Sequence, residues 1–408
     1  MPSTQSATNP QAVWEPFDRD AFKARVRKTI PAIAGRAANT ERDRCIPSDT
    51  MAELRDAGFF RIVQPSKFGG YEQDFELLAE MIQEIGAACA STAWVCGLTA
   101  AHQWLVASFP IEAQHDVWDA DPDALVCGSY APAAKAVPDG TGFRLTGRWS
   151  FASGCDVSSW AVCAAMIPQG EGAPPKPGFL LVPATDYTVD DDWFVVGLAG
   201  TGSKTLILDD VLVPDHRVLL FEETTSGDTP GARHYAHNPT YRVPMLANIA
   251  SCLASTAVGG AMGALNDYLD AVGSRTTRGA VAGGAAKMAE FPTIQIRVAE
   301  ASASIDAARE ILLRDLRRRN DVARSGRLAT VEERIESRRG QAFAVKLSLA
   351  ATEALNASTG GQGLTLANPV QRAWRDVNAV GRHISFNWDA VGSMVGRLAL
   401  GLEPKGQY

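Results

Sequence analysis

The stretch Gly197–Pro214, GLAGTGSKTLILDDVLVP, carries the glycines and the lysine of a phosphate-binding loop. Such a loop runs Gly, four residues, Gly-Lys and then Ser or Thr, and it opens a helix whose N-terminus faces the phosphates. Here Ser203 separates Gly202 from Lys204, so the lysine comes one place late. The next residues, TLILDDVLVP, set β-branched residues and leucines around an Asp pair and close at Pro214, the pattern of a strand. The spacing is wrong, and the loop opens the wrong element. The stretch argues against a nucleotide triphosphatase and for a glycine turn that feeds a β-domain.

Outward from that strand, the same short-strand pattern holds over about 124–220. ALVCGSYAP, GFRLTGRWSFASG, WAVCAAMIP and GFLLVPA are extended runs separated by Gly, Pro and Asp, as in a barrel or sandwich. Helical periodicity lies on both sides. Phe75, Leu78, Ile82 and Ile85 fall on one helical face, and Ala90–Phe109 is apolar almost all round, which predicts a buried helix. Beyond the β-region, Ile294, Val298, Ala301, Ile305, Ala308, Leu312 and Leu316 alternate in steps of four and three, a bundle seam. Further helices are expected at about 243–273, 330–358 and 369–400. The fold class is therefore α+β. It divides into a loose arm at 1–17, a helical domain at 18–122, a β-domain at 123–221, a polar linker at 222–240 and a helical bundle at 241–408.

The bulk numbers bound the function. A net charge of -7 over 408 residues argues against a nucleic-acid binder, and no run of about 18 apolar residues marks a membrane span. Cys45, Cys89, Cys96, Cys127, Cys155, Cys163 and Cys252 are odd in number and form no CxxC pair, so free, mostly buried thiols in a reducing cytoplasm are expected, with no metal site.

The order of helices, β-domain and bundle, together with GGQGLTLANPVQRAWRD (Gly360–Asp376) and GLAGTGSKTLILDDVLVP, resembles the acyl-CoA dehydrogenase fold over about 20–403. The resemblance implies a flavin, with Gly360, Gly361 and Gly363 in its glycine loop and Arg275 at the flavin phosphates. It also implies a homotetramer. The dehydrogenases commonly carry Tyr-Glu-Gly-Thr after the Arg-Asp pair, the Glu removing a proton from substrate. Here Gly381, Arg382, His383 and Ile384 stand at that place, and Tyr241–Ser255, where an alternative base can lie, contains no Asp or Glu. The chain more closely resembles the oxygenase components of two-component flavin-dependent monooxygenases, phenol hydroxylases among them.

That resemblance implies reduced FMN or FAD and O2 as co-substrates, the reduced flavin coming from a separate NAD(P)H-dependent flavin reductase, and a C(4a)-hydroperoxide that attacks a small electron-rich aromatic ring. His383 stands beside the lost Glu and is the first catalytic candidate; its alternative is a helix cap. Ser153 corresponds to the hydroxyl at the flavin N(5) edge, and Phe151 to the aromatic position beside the isoalloxazine, with Trp149 expected on the same strand face. Ser129 corresponds to a flavin-contacting Thr. In the phenol hydroxylases a His on the buried helix joins this Ser to hold the substrate hydroxyl, which makes His102 and Ser129 candidates for substrate binding and catalysis. His102 is otherwise a core residue, and Trp149 and Phe151 β-domain core. His234–His237 (HYAH) lacks the partners of a zinc site. N- or S-oxygenation, an acyl-CoA dehydrogenase, and a DNA-associated flavoprotein using the Arg-rich RDLRRRNDVARSGR are the alternatives. Interleaved Glu and Asp favour ion pairs for that segment.

Overall fold

The computed structural model describes residues 17–170, 172–276 and 287–408; all but the last residue of the expected arm at 1–17 lies outside the described residues. Asp18 opens the first helix by accepting the Ala21 N–H at 2.9 Å, satisfying one of the donors a helix start leaves over. The N-terminal domain then runs α1 (Arg19–Asp43), α2 (Ser48–Asp56), α3 (Phe75–Ala88), α4 (Ala90–Ser108) and α5 (Ile111–Trp118). Every residue of α4 is buried, as its all-round apolar sequence predicts. It is the central post of the molecule.

The β-domain contains β1 (Val126–Lys135), β2 (Val137–Asp139), β3 (Gly142–Ala152), β4 (Trp160–Ile167), β5 (Lys176–Pro183), β6 (Thr188–Asp190), β7 (Lys204–Pro214) and β8 (Val218–Leu220). They form two four-stranded sheets, ordered β1-β4-β5-β8 and β2-β3-β7-β6, closed over a core that includes Leu145, Trp149, Cys163, Leu180 and Leu206. The pairing of β1 with β4 is parallel; the other pairings are antiparallel.

The expected linker at 222–240 is not a loop. It folds into α6 (Phe221–Ser226), α7 (Pro230–His234) and a 3-10 turn at Pro239–Arg242. Thr229 caps α7 through the Ala232 N–H, a short-range bond that periodicity does not register. The bundle comprises α8 (Met245–Gly273), α9 (Pro292–Arg324), α10 (Val331–Ala357), α11 (Pro369–Gly381) and α12 (Trp388–Ala399). The sequence pattern predicts one helix over 369–400; the chain breaks at 382–387 instead. By length and composition α8 could cross a membrane, although its apolar window mixes in Gly, Ser and Thr; it is mostly buried inside the bundle. Its Gly259 lets α3 approach so closely that a Cβ there would sit 2.5 Å from the Gln83 carbonyl oxygen. The Arg-rich end of α9 is tied down by carboxylates, Arg318 to Glu336 at 2.8 Å and Arg327 to Glu333 at 2.7 Å.

The glycine stretch is a clasp between domains. Ala199–Thr201 makes a 3-10 turn, and the Leu198 N–H donates to Asp376 of α11 at 2.6 Å. Arg375 donates to the Val196 carbonyl at 2.7 Å and pairs with Glu41 of α1. A Cβ on Gly197 would meet the Arg375 carbonyl oxygen at 2.3 Å, so only glycine allows this docking. Burial pushes the Asp376 carboxyl up to about 6. Lys204 binds Asp156 at 2.7 Å and is committed there.

Candidate active site along the buried helix

Two polar clusters lie against α4, one at Trp94 and one at His102. They are eight residues apart, on the order of 12 Å along a helix.

At the Trp94 end, β3 slips register against β7 between Trp149 and Ala152, and Phe151 adopts a left-handed φ of 65°. A slip of this kind reverses the in–out alternation of a strand. Trp149 and Phe151 therefore do not share a face. Phe151 is 70 % exposed, edge-on to Trp193 at 5.9 Å, whereas Trp149 is wholly buried in the β-core. The Trp149 indole N–H donates to the Ala164 carbonyl at 2.7 Å, and Ala164 is the residue that β1 leaves without a partner. Trp149 is thus core, which corrects its assignment to the flavin wall.

Ser153, at the end of this bulge, heads a chain of hydroxyls whose direction is set by counting protons. The Thr201 hydroxyl donates to the Leu198 carbonyl at 2.8 Å, so at its 2.7 Å contact with Ser203 it must accept. The Ser203 proton is then spent on Thr201, so Ser153 donates to Ser203, also at 2.7 Å. Ser153 accepts the Trp94 indole N–H at 2.9 Å. Its one proton is committed inward, and what it presents outward is a lone pair. Ser153 can take an N–H; it cannot give a proton.

His383 lies in the break after α11. Its Nδ1 accepts the Ser385 N–H at 3.2 Å, and its ring packs edge-on to Trp94 at 5.8 Å and against Phe386 at 5.7 Å. The capping alternative raised from the sequence is therefore part of its role. Burial, and then the charge of Arg338, push its pKa down to about 4, so the ring is neutral near pH 7. With Nδ1 accepting, the proton of the neutral ring sits on Nε2, which becomes a donor. Arg338 is buried and holds the turn by donating to the Ser385 carbonyl at 2.9 Å. Phe151 and Ile384, 70 % and 77 % exposed, bring apolar surface to this cluster.

At the other end of α4, His102 is fully buried and its Nδ1 lies 2.6 Å from the Val126 carbonyl. A carbonyl only accepts, so Nδ1 carries the proton and Nε2 is a bare acceptor. Burial pushes this ring down to about 4 as well. Its tautomer is the opposite of the His383 tautomer. Nε2 accepts the Tyr130 hydroxyl at 2.7 Å. Ser129, next to Tyr130, donates to the Ser150 carbonyl at 2.8 Å, so the structure sets Ser129 near His102 without a bond between them.

The third group is the glycine loop. Gly360–Leu364 forms a 3-10 turn, and Arg275 donates to the Thr359 carbonyl at 2.5 Å, with its guanidinium 3.4 Å from where a Gly360 Cβ would be. Gly363 packs on Thr359, and Gly361 faces open space. Arg275 and this loop are brought together, as a phosphate-binding assignment requires.

Other expectations fall away from the site. His237 binds Glu72 at 3.1 Å, and among the described residues no cluster of His, Cys, Asp or Glu is arranged for a metal ion. All seven cysteines are free, and six are buried. Trp94 and Tyr130 join the site although no sequence motif marks them, and so do Thr201 and Ser203, whose glycine stretch gives no sign of their hydroxyl chain. Trp94 lies eight residues before His102 on the same helix, about 80° around it.

A flavin fits these residues. The Ser153 lone pair suits the N–H that only the reduced ring carries at its reactive edge, the Phe151 and Ile384 surface suits a flat ring system, and Arg275 suits phosphate.

The chain is similar to known proteins along nearly its whole length. Residues 18–118 match the acyl-CoA dehydrogenase N-terminal domain and residues 251–388 the acyl-CoA dehydrogenase C-terminal domain. The chain is 58% identical over 388 residues to the FADH(2)-dependent resorcinol hydroxylase, oxygenase component, of Rhizobium sp. (strain MTP-10005), covering 94% of this chain and 95% of that protein. Among solved structures, the 3-HSA hydroxylase from Rhodococcus sp. RHA1 superposes with a TM-score of 0.89 at 35% identity, covering 95% of this chain and 98% of that one. XiaF from Streptomyces sp., in complex with FADH2 and glycerol, superposes at 0.86 with 28% identity, covering 95% and 97%.

Proposed function

This chain belongs to the acyl-CoA dehydrogenase family, within it to the oxygenase components of flavin-dependent monooxygenases, and from that premise we propose that it hydroxylates a small phenol of the resorcinol class using reduced FAD and O2. The observation that carries the phenol is His102: a neutral imidazole, tautomer fixed by Val126, whose Nε2 accepts a phenolic hydroxyl, that of Tyr130, at 2.7 Å. The 58% identity to a resorcinol hydroxylase supports the substrate class and the choice of FAD.

The bound flavin supplies reductive activation of dioxygen and delivery of one oxygen atom to the ring. The residues of this chain do the rest. Ser153 would accept the N–H of the reduced flavin, and it has no proton to give there. His383 Nε2–H would be the hydrogen-bond donor to an oxygen atom at that edge. His102 Nε2 accepts the substrate O–H, draws charge onto the ring and makes the carbon beside the hydroxyl more nucleophilic. Ser129 is the second polar group at this end, and Arg275 with Gly360, Gly361 and Gly363 holds the flavin phosphates. Trp94 ties Ser153 to His383. The absence of a carboxylate at 381–384 and in Tyr241–Ser255 disfavours an acyl-CoA dehydrogenase.

We assign the reduced flavin to a separate flavin reductase, and a homotetramer to the assembled enzyme, from the same kinship. Anaerobic titration tests the cofactor. Reduced FAD is expected to bind at least about tenfold more tightly than reduced FMN, a difference of one decade in Kd. Equal affinity, or a preference for FMN, would remove FAD from the proposal.

A further inference from the structure

Tyr130 is unaccounted for by the chemistry above, yet it occupies the group on which the substrate reading rests. Its hydroxyl makes one hydrogen bond, to His102 Nε2 at 2.7 Å. Its ring leans on His102, 5.8 Å between centroids at 29°, and meets the edge of Phe179 at 4.9 Å. The seat that suits a phenol already holds one.

The backbone around Tyr130 is suited to letting go. β1 pairs with β4 up to Ser129 and again from Ala134, and no cross-strand partner falls between. Residues 130–133 therefore bulge out against Ala164 alone, and Ala131, Pro132 and Ala133 are exposed. The Ala164 carbonyl that would tether the bulge is taken by Trp149. Val126 to Ser129, by contrast, are paired and buried, so the His102 side of the contact is fixed while the Tyr130 side is not. Bulges of this kind re-aim a side chain beside an active site.

Building on the reading of His102 as the phenol acceptor, we infer that Tyr130 is a resident surrogate for the substrate: its hydroxyl fills the His102 acceptor in the free enzyme, and a phenolic substrate enters by taking its place. Tyr130 then sets the cost of entry to the His102 seat. The bond it makes is lost whichever group enters; a phenol recovers it in full, and an aliphatic alcohol or an arylamine, weaker donors, recovers it only in part.

The test uses the flavin-loaded, full-length protein with resorcinol as probe and benzyl alcohol and aniline as comparators. Removing the competitor in Tyr130→Phe is expected to tighten resorcinol binding about 3- to 10-fold, the range of one net hydrogen bond. The comparators gain by about the same factor, because the bond broken to admit them is the same. In wild-type protein carrying 3-fluorotyrosine at position 130, the fluorine resonance is expected to move on adding resorcinol and to stay put on adding toluene. Unchanged or weaker resorcinol binding in Tyr130→Phe, or a fluorine signal indifferent to resorcinol, overturns the inference. His102→Gln, measured in parallel, separates the two levels. If it hydroxylates resorcinol as fast as wild type does, the His102 seat itself is refuted. If it slows hydroxylation while Tyr130→Phe loses affinity, the seat stands and Tyr130 is a substrate contact instead.

Discussion

His383→Ala is expected to leave reduced-flavin binding within a few fold of wild type while uncoupling the reaction, so that most flavin oxidised yields hydrogen peroxide in place of hydroxylated product. The tautomer is the reason. Ser385 N–H occupies Nδ1, so the neutral ring has its proton on Nε2, and the ring packs edge-on to Trp94, whose indole N–H donates to Ser153. A preorganised donor of this type is worth about 10²–10³ in rate where charge develops on oxygen. Losing it lets unproductive release of peroxide outrun transfer. His383→Gln, which keeps an N–H donor, is expected to recover part of the coupling. Because the ring stays neutral down to about pH 4, wild-type coupling should hold level as pH falls from about 7 to about 5. Alanine also removes the cap on Ser385, so a melting curve accompanies the peroxide assay. Unchanged product per flavin in a folded His383→Ala protein removes His383 from the mechanism.

His102→Ala is expected to act at the opposite step. Flavin oxidation should proceed at its usual rate, and hydroxylation of resorcinol should slow by about 10²–10⁴, the range of a positioned acid or base. The substitution leaves the Val126 carbonyl and the Tyr130 hydroxyl without their partner, so His102→Gln serves as the gentler variant. A second readout isolates the hydroxyl contact. Wild-type enzyme should select resorcinol over its dimethyl ether, which has no O–H to donate, and that selection should collapse in both variants. If His102→Ala transfers oxygen as fast as wild type, His102 is core packing.

Much of the frame is legible because it rests on local periodicity. The all-round apolar pattern of α4 and the seam of α9 need no tertiary information, and the late lysine at Lys204 with the strand pattern after it separates a β-turn from a phosphate loop. His383, Ser153, His102 and Ser129 are candidates through kinship of pattern. What eludes the sequence depends on a single displaced residue or on a distant partner. One register slip in β3 sends Phe151 out and Trp149 in, and no composition rule marks where a strand slips. The break after Gly381 hides because the apolar pattern continues through it, and because the capping group is an imidazole, outside the usual Ser, Thr, Asp and Asn. Tyr130 meets His102 across 28 residues, and Trp94 meets Ser153 across 59, contacts that exist only once the β-domain has packed on α4.

The central claim is that this chain transfers one atom of molecular oxygen to a phenol, and isotopic labelling tests it most directly. The protein, given reduced FAD and resorcinol under heavy-isotope dioxygen in ordinary water, should yield a hydroxylated product in which the new oxygen is heavy. A product carrying oxygen from water, or resorcinol recovered unchanged while all the dioxygen consumed leaves as hydrogen peroxide, would contradict the account.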